Sequence, residues 1–265
     1  MIATTLPASI VQEFAGRLIR AERQRAPMPA LTSMLPVFGV GDAYAVQEAV
    51  ASRRVDAGEW VVGWKLGLAS KAMQEQLDAE EPIVAPILSD WLIREGDPIP
   101  LDLLIQPRVQ AHIAFELGDR VMGPHASGSD VVAATVGLRP ALEVVDSRVE
   151  DWRIRLPDTI ADLASSARVV VGDRLTPIAD LDLRRIGVAL QRNGKGVATG
   201  HGASIMGNPA QAVAWLANRI LERGERLEGG QIVIAGPLHP SVAARRSDVF
   251  RALFDRLGSM SVSFV

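Results

Sequence analysis

The sequence predicts an α+β fold in which a mixed β-sheet, curved into a roll or sandwich, follows a helical N-terminal lobe. Three observations favour this class. The first 60 residues carry two amphipathic helical patterns, the rest carries short strands of mixed spacing, and few helices lie between those strands. A doubly wound parallel sheet would need a helix after almost every strand. We therefore expect a helical lobe at residues 1–60 and a β-roll domain at residues 61–265.

The N-terminal lobe is predicted from two helical patterns separated by prolines. Apolar residues recur at helical spacing through residues 9–23, after Ser9 and Gln12 in the arrangement of a capping box. A second amphipathic pattern covers residues 41–57, where Asp42 is suited to cap the first turn. Several prolines between the two patterns make the connection irregular.

The first strand of the roll is predicted at residues 59–68, where Lys65 stands among apolar neighbours. Lysine is rarely buried without a partner, so this position needs an explanation. A short polar helix begins after Ser70, and Pro82 ends it. The following proline-punctuated stretch, residues 83–88, is interpreted as a lid or a connection between lobes.

Strict alternation marks a central strand at residues 106–116. One face carries only apolar side chains, those of Val109, Ala111, Ile113 and Phe115. The other face carries Arg108, Gln110, His112 and Glu116. A polar face of this kind is either solvated or the floor of a polar pocket.

The remaining elements alternate between strands and helices. Asn193-Gly194 is a strong hairpin signal, Pro209 is suited to the first turn of a helix, and Gly224 to its end. The predicted helices lie at residues 130–137, 158–166 and 209–223. The predicted strands lie at residues 141–146, 168–171, 186–190, 196–199, 231–235 and 259–265.

Composition excludes several classes of function. A hydrophobic content of 48% in 265 residues allows a large core, and a net charge of −3 offers no cationic surface for nucleic acid. The absence of cysteine excludes disulfides, thiolate metal sites and a cysteine nucleophile, and it agrees with a reducing cytoplasm. With no signal peptide and no apolar run of transmembrane length, we expect a cytoplasmic protein without membrane contact. No phosphate-binding glycine motif is present, so no nucleotide cofactor is expected.

Blocks of residues spread in order along nearly the whole chain carry a resemblance to a known family. The blocks are Gly-Trp-Lys-Leu-Gly-Leu (63–68), Ser-Lys-Ala (70–72), Glu-Pro (81–82), Pro-Arg-Val (107–109), Ile-Ala-Phe (113–115), Pro-Ala-Leu-Glu-Val-Val-Asp-Ser-Arg (140–148), Asp-Thr-Ile-Ala-Asp (158–162), Ala-Ser-Ser (164–166), Ala-Thr-Gly (198–200), Gly207 with Pro209, and Ala-Val-Ala-Trp-Leu-Ala-Asn (212–218). Together they resemble the 2-keto-4-pentenoate hydratase and 4-oxalocrotonate decarboxylase branch of the fumarylacetoacetate hydrolase superfamily, and the resemblance implies the β-roll of that superfamily.

The resemblance implies a divalent cation, usually magnesium or manganese, held by a Glu-x-Glu pair on one strand and a third glutamate on the next. The third glutamate matches Glu143, but Gln110 and His112 stand where the pair is expected. One carboxylate in place of three should bind magnesium poorly, whereas an imidazole favours manganese, iron or zinc. Two alternatives stay open: this chain has lost the metal, or Glu143, His112 and Gln110 hold a different one. In a metal-free site, His112 with Arg108 or Lys65 is expected to hold the substrate carboxylate or enolate oxygen.

Other site residues follow from the same resemblance. Lys65 is expected to bind the carboxylate or move a proton, and Glu81 to act as an acid or base on a closing segment. Arg108, Ser165 and Ser166 are candidate substrate contacts. His201 and His239 lie on loops where the family has no histidine, and they are further candidates for the pocket wall.

The resemblance implies an enzyme of aromatic catabolism that acts on a small 2-oxo or 2-hydroxydienoic acid. The expected reaction is that of a carbon–oxygen lyase, which adds water to a 2-hydroxy-2,4-dienoate through an enolate. The alternatives are decarboxylation, isomerisation or ring closure of a related acid, for example in a biosynthetic pathway, and a non-catalytic subunit that assembles with an active homologue. A homo-oligomer is expected in either case.

Overall fold

The computed structural model describes residues 4–179 and 181–265, and it has the predicted mixed helix and strand content. The helices in these residues are α1 (Ala8–Gln24), α2 (Leu31–Met34), α3 (Val40–Asp56), α4 (Lys71–Gln76), α5 (Gly128–Ala134), α6 (Leu156–Ala161) and α7 (Pro209–Leu221). The strands are β1 (Val61–Gly67), β2 (Ile83–Leu88), β3 (Leu92–Arg94), β4 (Arg108–Leu117), β5 (Thr135–Val145), β6 (Ser166–Val171), β7 (Gly187–Arg192), β8 (Lys195–His201), β9 (Ile232–Pro237), β10 (Val242–Ala243), β11 (Val249–Phe254) and β12 (Gly258–Ser263).

Two sheets form the β core. The larger one has the strand order β2-β1-β9-β4-β5-β6-β3, and β10 pairs with β4 beside this path. Most of its pairs are antiparallel, but β1 and β9 are parallel, as are β3 and β6, so the sheet is mixed as predicted. The smaller sheet has the order β12-β11-β7-β8. The α+β fold class is therefore confirmed.

β4 lies in the interior of the larger sheet, and its predicted apolar face is buried. Val109, Ala111, Ile113 and Phe115 are each fully buried, which confirms the alternation read from the sequence. β4 pairs with β5 on one side and with β9 and β10 on the other, so both of its edges are used. The residues of its second face are consequently fixed relative to those of β5.

The N-terminal helices α1 and α3 pack against each other and against the β core. Their buried side chains, among them Phe14 and Val46, belong to the same hydrophobic cluster as Ile87 of β2 and Ile160 of α6. This cluster joins the N-terminal helices to the sheet. The division of the chain into two domains at residue 60 remains a prediction. In the part of the chain that the structure describes, no helix combines the length and apolar character needed to span a bilayer.

Among the local predictions that the structure corrects are those for residues 83–88 and 158–166. Residues 83–88, interpreted as a lid or connection, form β2, whose residues are all buried. β2 lies at the edge of the sheet, where Pro86 is tolerated because an edge strand has one unpaired side. The helix predicted at residues 158–166 ends at Ala161, and a short turn at Leu163–Ser165 leads into β6.

The turn between β7 and β8 and the entry to α7 agree with the sequence. Asn193 and Gly194 both have positive φ, 52° and 78°, as a tight hairpin turn requires. Pro209 is the first residue of α7, and the side chain of Asn208 caps it. Gly200 of β8 is required for packing, because a Cβ there would lie 1.8 Å from the carbonyl oxygen of Leu238.

A partly buried charge network ties α1 and α3 to the β core. Glu22 Oε2 of α1 lies 2.7 Å from Arg54 Nη1 of α3 and 3.3 Å from Arg148 Nη2, which follows β5. Burial by itself raises the pKa of Glu22, but the charges of Arg148 and Arg54 outweigh it and lower the pKa from 4.5 to about 2. The ionised carboxylate therefore stabilises the folded protein.

This network predicts an acid-sensitive contribution to stability. Because the folded-state pKa is depressed, the contribution is complete above pH 4.5 and is lost as the pH falls towards 2. In a Glu22→Gln variant, the acid-dependent loss in the free energy of unfolding, measured by urea denaturation across this range, should be smaller by up to ~3 kcal/mol. Glu13→Gln is the control, because Glu13 is exposed and pairs only with Arg17 on its own helix among the described residues. An equal acid-dependent loss in the free energy of unfolding for the wild type and Glu22→Gln would contradict the prediction.

Candidate active site

A cavity of about 490 Å³ opens beside β1, β4 and β5. Side chains of α4 and of the segment after β9 complete its wall, and Leu68, Leu77, Ile83 and Val145 supply apolar surface. The charged side chains in its lining are two cations and one carboxylate. The polar lining residues are Lys65, Gln76, Arg108, Gln110, Glu143, Thr159, Ser165 and Ser241.

The register of the sheet explains why Gln110 and Glu143 meet. Gln110 of β4 lies directly opposite Glu143 of β5, and His112 lies opposite Ala141. Lys65 is on β1, which is separated from β5 by β9 and β4. Three strand spacings amount to about 14 Å in a flat sheet, so the Lys65–Glu143 contact depends on the curl of the sheet.

Lys65 and Glu143 form a buried ion pair at the floor of the cavity. The Lys65 ammonium also donates a hydrogen bond to the carbonyl oxygen of Ala164, at 3.0 Å. Ser166 Oγ donates to Glu143 Oε1 at 2.6 Å. Burial by itself raises the pKa of Glu143, but Lys65 and His112 outweigh it and hold the pKa at about 2. Glu143 is therefore a carboxylate at neutral pH.

His112 lies behind this pair and not in the cavity wall. It is fully buried, and its Nε2 lies 3.1 Å from Glu143 Oε2. Neither ring nitrogen makes a well-aligned hydrogen bond with any of the described residues. His112 thus contacts the carboxylate that contacts Lys65, and the structure does not bring it to the cavity as a direct substrate ligand.

The turn at Leu163–Ser165 aims the Ala164 carbonyl at Lys65. All three residues have positive φ, between 52° and 54°, which is an uncommon backbone conformation for residues other than glycine. Ser165 Oγ donates to Asp162 Oδ2 at 3.1 Å, and the Ser165 carbonyl accepts from the Asp146 amide at 2.7 Å. Strained backbone of this kind persists where surrounding contacts hold it, often at functional sites.

Arg108 is held on the cavity wall by Trp152. The guanidinium carbon lies 4.4 Å from the centroid of the Trp152 ring, within the range of a cation–π contact. Trp152 is itself fixed by a hydrogen bond from its Nε1 to the Gln106 carbonyl, at 3.0 Å. The sequence alone does not indicate a site role for Trp152, because no local pattern shows that residue 152 meets residue 108.

Glu81 and His201, two predicted site residues, are not brought to the cavity, and Ser166 acts indirectly. Glu81 is exposed and forms an ion pair with Arg219 of α7, so its expected acid–base role is not supported by its position. His201 is exposed at the end of β8 in the smaller sheet. Ser165 lines the cavity, whereas Ser166 reaches the site only through Glu143.

His239 is a structural residue in this arrangement. Its Nδ1 donates to the Pro240 carbonyl at 2.7 Å, and its Nε2 accepts from the Ala111 amide at 3.1 Å. Burial lowers the pKa of His239, in agreement with a neutral ring that uses both nitrogens for backbone contacts. The ring thereby fixes the segment after β9 against β4 and does not line the cavity.

The donor set does not fit the divalent cation that the resemblance implies. Within residues 4–179 and 181–265, no group of three histidine, aspartate or glutamate side chains is placed to hold a metal ion. Glu143 is the sole carboxylate of the cavity lining, and it is already engaged by Lys65 and Ser166. Gln110 offers a neutral amide, and His112 lies behind Glu143. Hard cations such as magnesium require several oxygen ligands, usually with more than one carboxylate.

Comparison with known proteins identifies the family. No protein-family model matches the chain. It is 38% identical over 255 residues to a 2-keto-4-pentenoate hydratase of Paraburkholderia xenovorans (strain LB400), an alignment that covers 96% of this chain and 94% of that one.

Solved structures agree with this similarity. The 4-oxalocrotonate decarboxylase from Pseudomonas putida G7, complexed with magnesium and adipate, is 32% identical and superposes with a TM-score of 0.95 over 98% of this chain and 99% of its own. A fumarylpyruvate hydrolase from Pseudomonas aeruginosa, in complex with Mn²⁺ and pyruvate, shares the fold alone, at 17% identity and a TM-score of 0.61 over 76% of this chain and 88% of its own. Magnesium is thus present in a solved structure of similar sequence. The chain belongs to the 2-keto-4-pentenoate hydratase and 4-oxalocrotonate decarboxylase family.

Proposed function

We propose that this protein is a hydratase that converts a small 2-hydroxy-2,4-dienoate into a 4-hydroxy-2-oxo acid. The observation that carries the proposal is the Lys65–Glu143 pair on the floor of a cavity that also holds Arg108. It is supported by the similarity to a 2-keto-4-pentenoate hydratase along nearly the whole chain. Such a substrate is a carboxylate that becomes an enolate during the reaction, and both species are anions.

The charges of the cavity suit an anionic substrate. Lys65 and Arg108 carry two positive charges against the single negative charge of Glu143. A guanidinium offers paired N–H donors whose geometry matches a carboxylate. Arg108, whose guanidinium lies over the Trp152 ring, is therefore the residue that binds the substrate carboxylate in this proposal.

Lys65 donates a hydrogen bond to the oxygen on C2 of the substrate in this proposal. An ammonium group has three N–H donors, and two of those on Lys65 are used by Glu143 and the Ala164 carbonyl. The third is left for the cavity, because Lys65 makes no other side-chain hydrogen bond with the described residues. A fixed donor beside the place where negative charge develops stabilises that charge with little reorganisation.

The reaction proceeds in two stages with balanced protons. The 2-hydroxyl group first loses its proton and C5 gains one, which gives a 2-oxo acid with a double bond between C3 and C4. The oxygen of water then bonds to C4 and the water releases one proton, which leaves a hydroxyl group on C4 and a second enolate. C3 of this enolate gains a proton, so the net change is the addition of one water. Lys65 stabilises the negative oxygen on C2 in both stages, and Glu143, which remains a carboxylate, keeps the ammonium in position.

The test is to incubate the purified protein with a 2-hydroxy-2,4-dienoate and to follow the loss of the dienoate ultraviolet absorbance. Mass spectrometry of the product should show the addition of one water. Release of carbon dioxide from 4-oxalocrotonate would favour the decarboxylase alternative, and a product of unchanged mass would favour isomerisation or ring closure. Absence of turnover on any dienoate, together with stable co-purification with an active homologue, would favour a non-catalytic subunit. The homo-oligomeric state remains a prediction, which light scattering would check.

A further inference from the structure

We infer that this active site binds its 2-oxo acid through the side chains of Lys65 and Arg108, without a divalent cation. The class of ligand rests on the proposed function, but ligand binding can be measured without turnover. The inference starts from the mismatch between the cation-binding relatives and the donor set of this cavity. The site lacks two of the expected carboxylates, one oxygen of Glu143 is occupied by protein donors, and two cations already line the cavity.

The missing carboxylates remove the attraction for a dication. The resemblance implies three glutamates, and this chain retains one, with Gln110 and His112 at the other two positions. Gln110 faces the cavity, but a neutral amide contributes one oxygen without a charge. His112 is fully buried behind Glu143, so it adds no donor to the cavity wall. The site therefore offers a dication one negative charge where the family pattern implies about three.

One oxygen of the remaining carboxylate is already occupied by protein donors. Glu143 Oε1 accepts from both Lys65 and Ser166, whereas Oε2 is buried 3.1 Å from His112 Nε2 without a well-aligned hydrogen bond. A metal ion on Glu143 would have to displace the Lys65 ammonium or sit beside it. The second arrangement places like charges next to each other beside the buried Lys65–Glu143 pair, where repulsion is strong.

Lys65 and Arg108 provide the positive charge that a metal would supply. The Lys65 ammonium is fixed by Glu143 and by the strained turn that presents the Ala164 carbonyl. The Arg108 guanidinium is fixed by the Trp152 ring, 4.4 Å from its carbon. Both groups line the same cavity. Two fixed cations can hold the carboxylate and the 2-oxygen of a 2-oxo acid, which are the groups that a metal would chelate.

The first experiment measures binding of 2-oxopentanoate, a stable 2-oxo acid, by calorimetry and by the intrinsic tryptophan fluorescence, to which Trp152 of the cavity wall contributes. The purified full chain should contain no stoichiometric metal by elemental analysis, and magnesium or manganese alone should give no heat of binding. The affinity for 2-oxopentanoate in excess EDTA should agree within about twofold with that in magnesium. Stoichiometric metal in the protein, or loss of 2-oxopentanoate binding in EDTA, would overturn the inference. Neither result depends on hydratase activity, so failure of the proposed function would be seen separately.

The second experiment tests whether Arg108 binds the ligand in place of a metal ion. An Arg108→Gln variant should bind 2-oxopentanoate about 10- to 100-fold more weakly, because a charge-assisted contact is lost. The matched control is Arg120→Gln, since Arg120 is a surface arginine whose partner is Glu228. Unchanged affinity in Arg108→Gln would contradict the role assigned to Arg108.

The third experiment restores the missing carboxylates. The double variant Gln110→Glu/His112→Glu should gain magnesium binding in calorimetry, and its affinity for 2-oxopentanoate should become sensitive to EDTA. The double variant Gln110→Met/His112→Gln alters the same positions without added charge and should gain neither property. If the buried change at residue 112 prevents folding, the single variant Gln110→Glu, at a partly exposed position, should still bind magnesium more tightly than wild type. Magnesium binding by the wild type as tight as that of the folded glutamate variant would overturn the inference.

Discussion

Replacement of Lys65 by methionine should lower kcat on the dienoate that the wild type hydrates by about 10²- to 10³-fold. The physical reason is that the variant lacks the donor assigned to the negative oxygen on C2. Methionine fills similar space without a charge or an N–H donor. The measurement is steady-state hydration followed by the loss of dienoate absorbance.

The single variant also leaves Glu143 buried without its cationic partner, which threatens folding. The double variant Lys65→Met/Glu143→Gln removes both charges and separates stability from catalysis. It should unfold at a urea concentration closer to that of wild type, yet remain as inactive as the single variant. A folded double variant that retained kcat within about threefold of wild type would show that Lys65 does not stabilise the reacting oxygen.

Replacement of Arg148 by methionine should lower the free energy of unfolding by about 3–5 kcal/mol, because it removes one partner from a buried charge network. Arg148 Nε lies 3.4 Å from Asp162 Oδ1, and its Nη2 lies 3.3 Å from Glu22 Oε2. Its Nη1 donates to the backbone carbonyls of Asp146 and Ser166, at 3.1 and 2.9 Å. Burial by itself lowers the pKa of Arg148, but Asp162, Glu22 and Asp146 outweigh it and raise the pKa, so the guanidinium stays charged.

The control for this prediction is Arg153→Met. Arg153 is 82% exposed in its side chain and pairs with Asp151 at 3.4 Å, so its loss should change stability by less than about 0.5 kcal/mol. Urea denaturation of both variants and the wild type is the measurement. Equal stability of Arg148→Met and Arg153→Met would show that the buried network does not hold α1, the Asp162 turn and β5 together. Loss of the network should also reduce ligand binding, because Asp162 holds the turn that presents Ala164 to Lys65.

The local predictions that succeeded concern features set by neighbouring residues. The alternation in β4, the Asn193-Gly194 turn and the proline start of α7 depend on backbone geometry within a few positions, and the structure has each of them. The prediction for residues 83–88 was wrong because proline normally indicates a break. Whether Pro86 is tolerated depends on its strand lying at the edge of the sheet, and the local sequence does not contain that information.

The sequence by itself determined the fold class, the family resemblance and the replacement of the expected metal-binding pair by Gln110 and His112. Only the tertiary structure decided that His112 lies behind Glu143, that Glu81 pairs with Arg219 outside the cavity, and that Trp152 holds Arg108. The physical reason is distance along the chain. Side-chain alternation assigns a residue to a face of its strand, but Lys65 meets Glu143, 78 positions later, only because the sheet curls and brings β1 over β5.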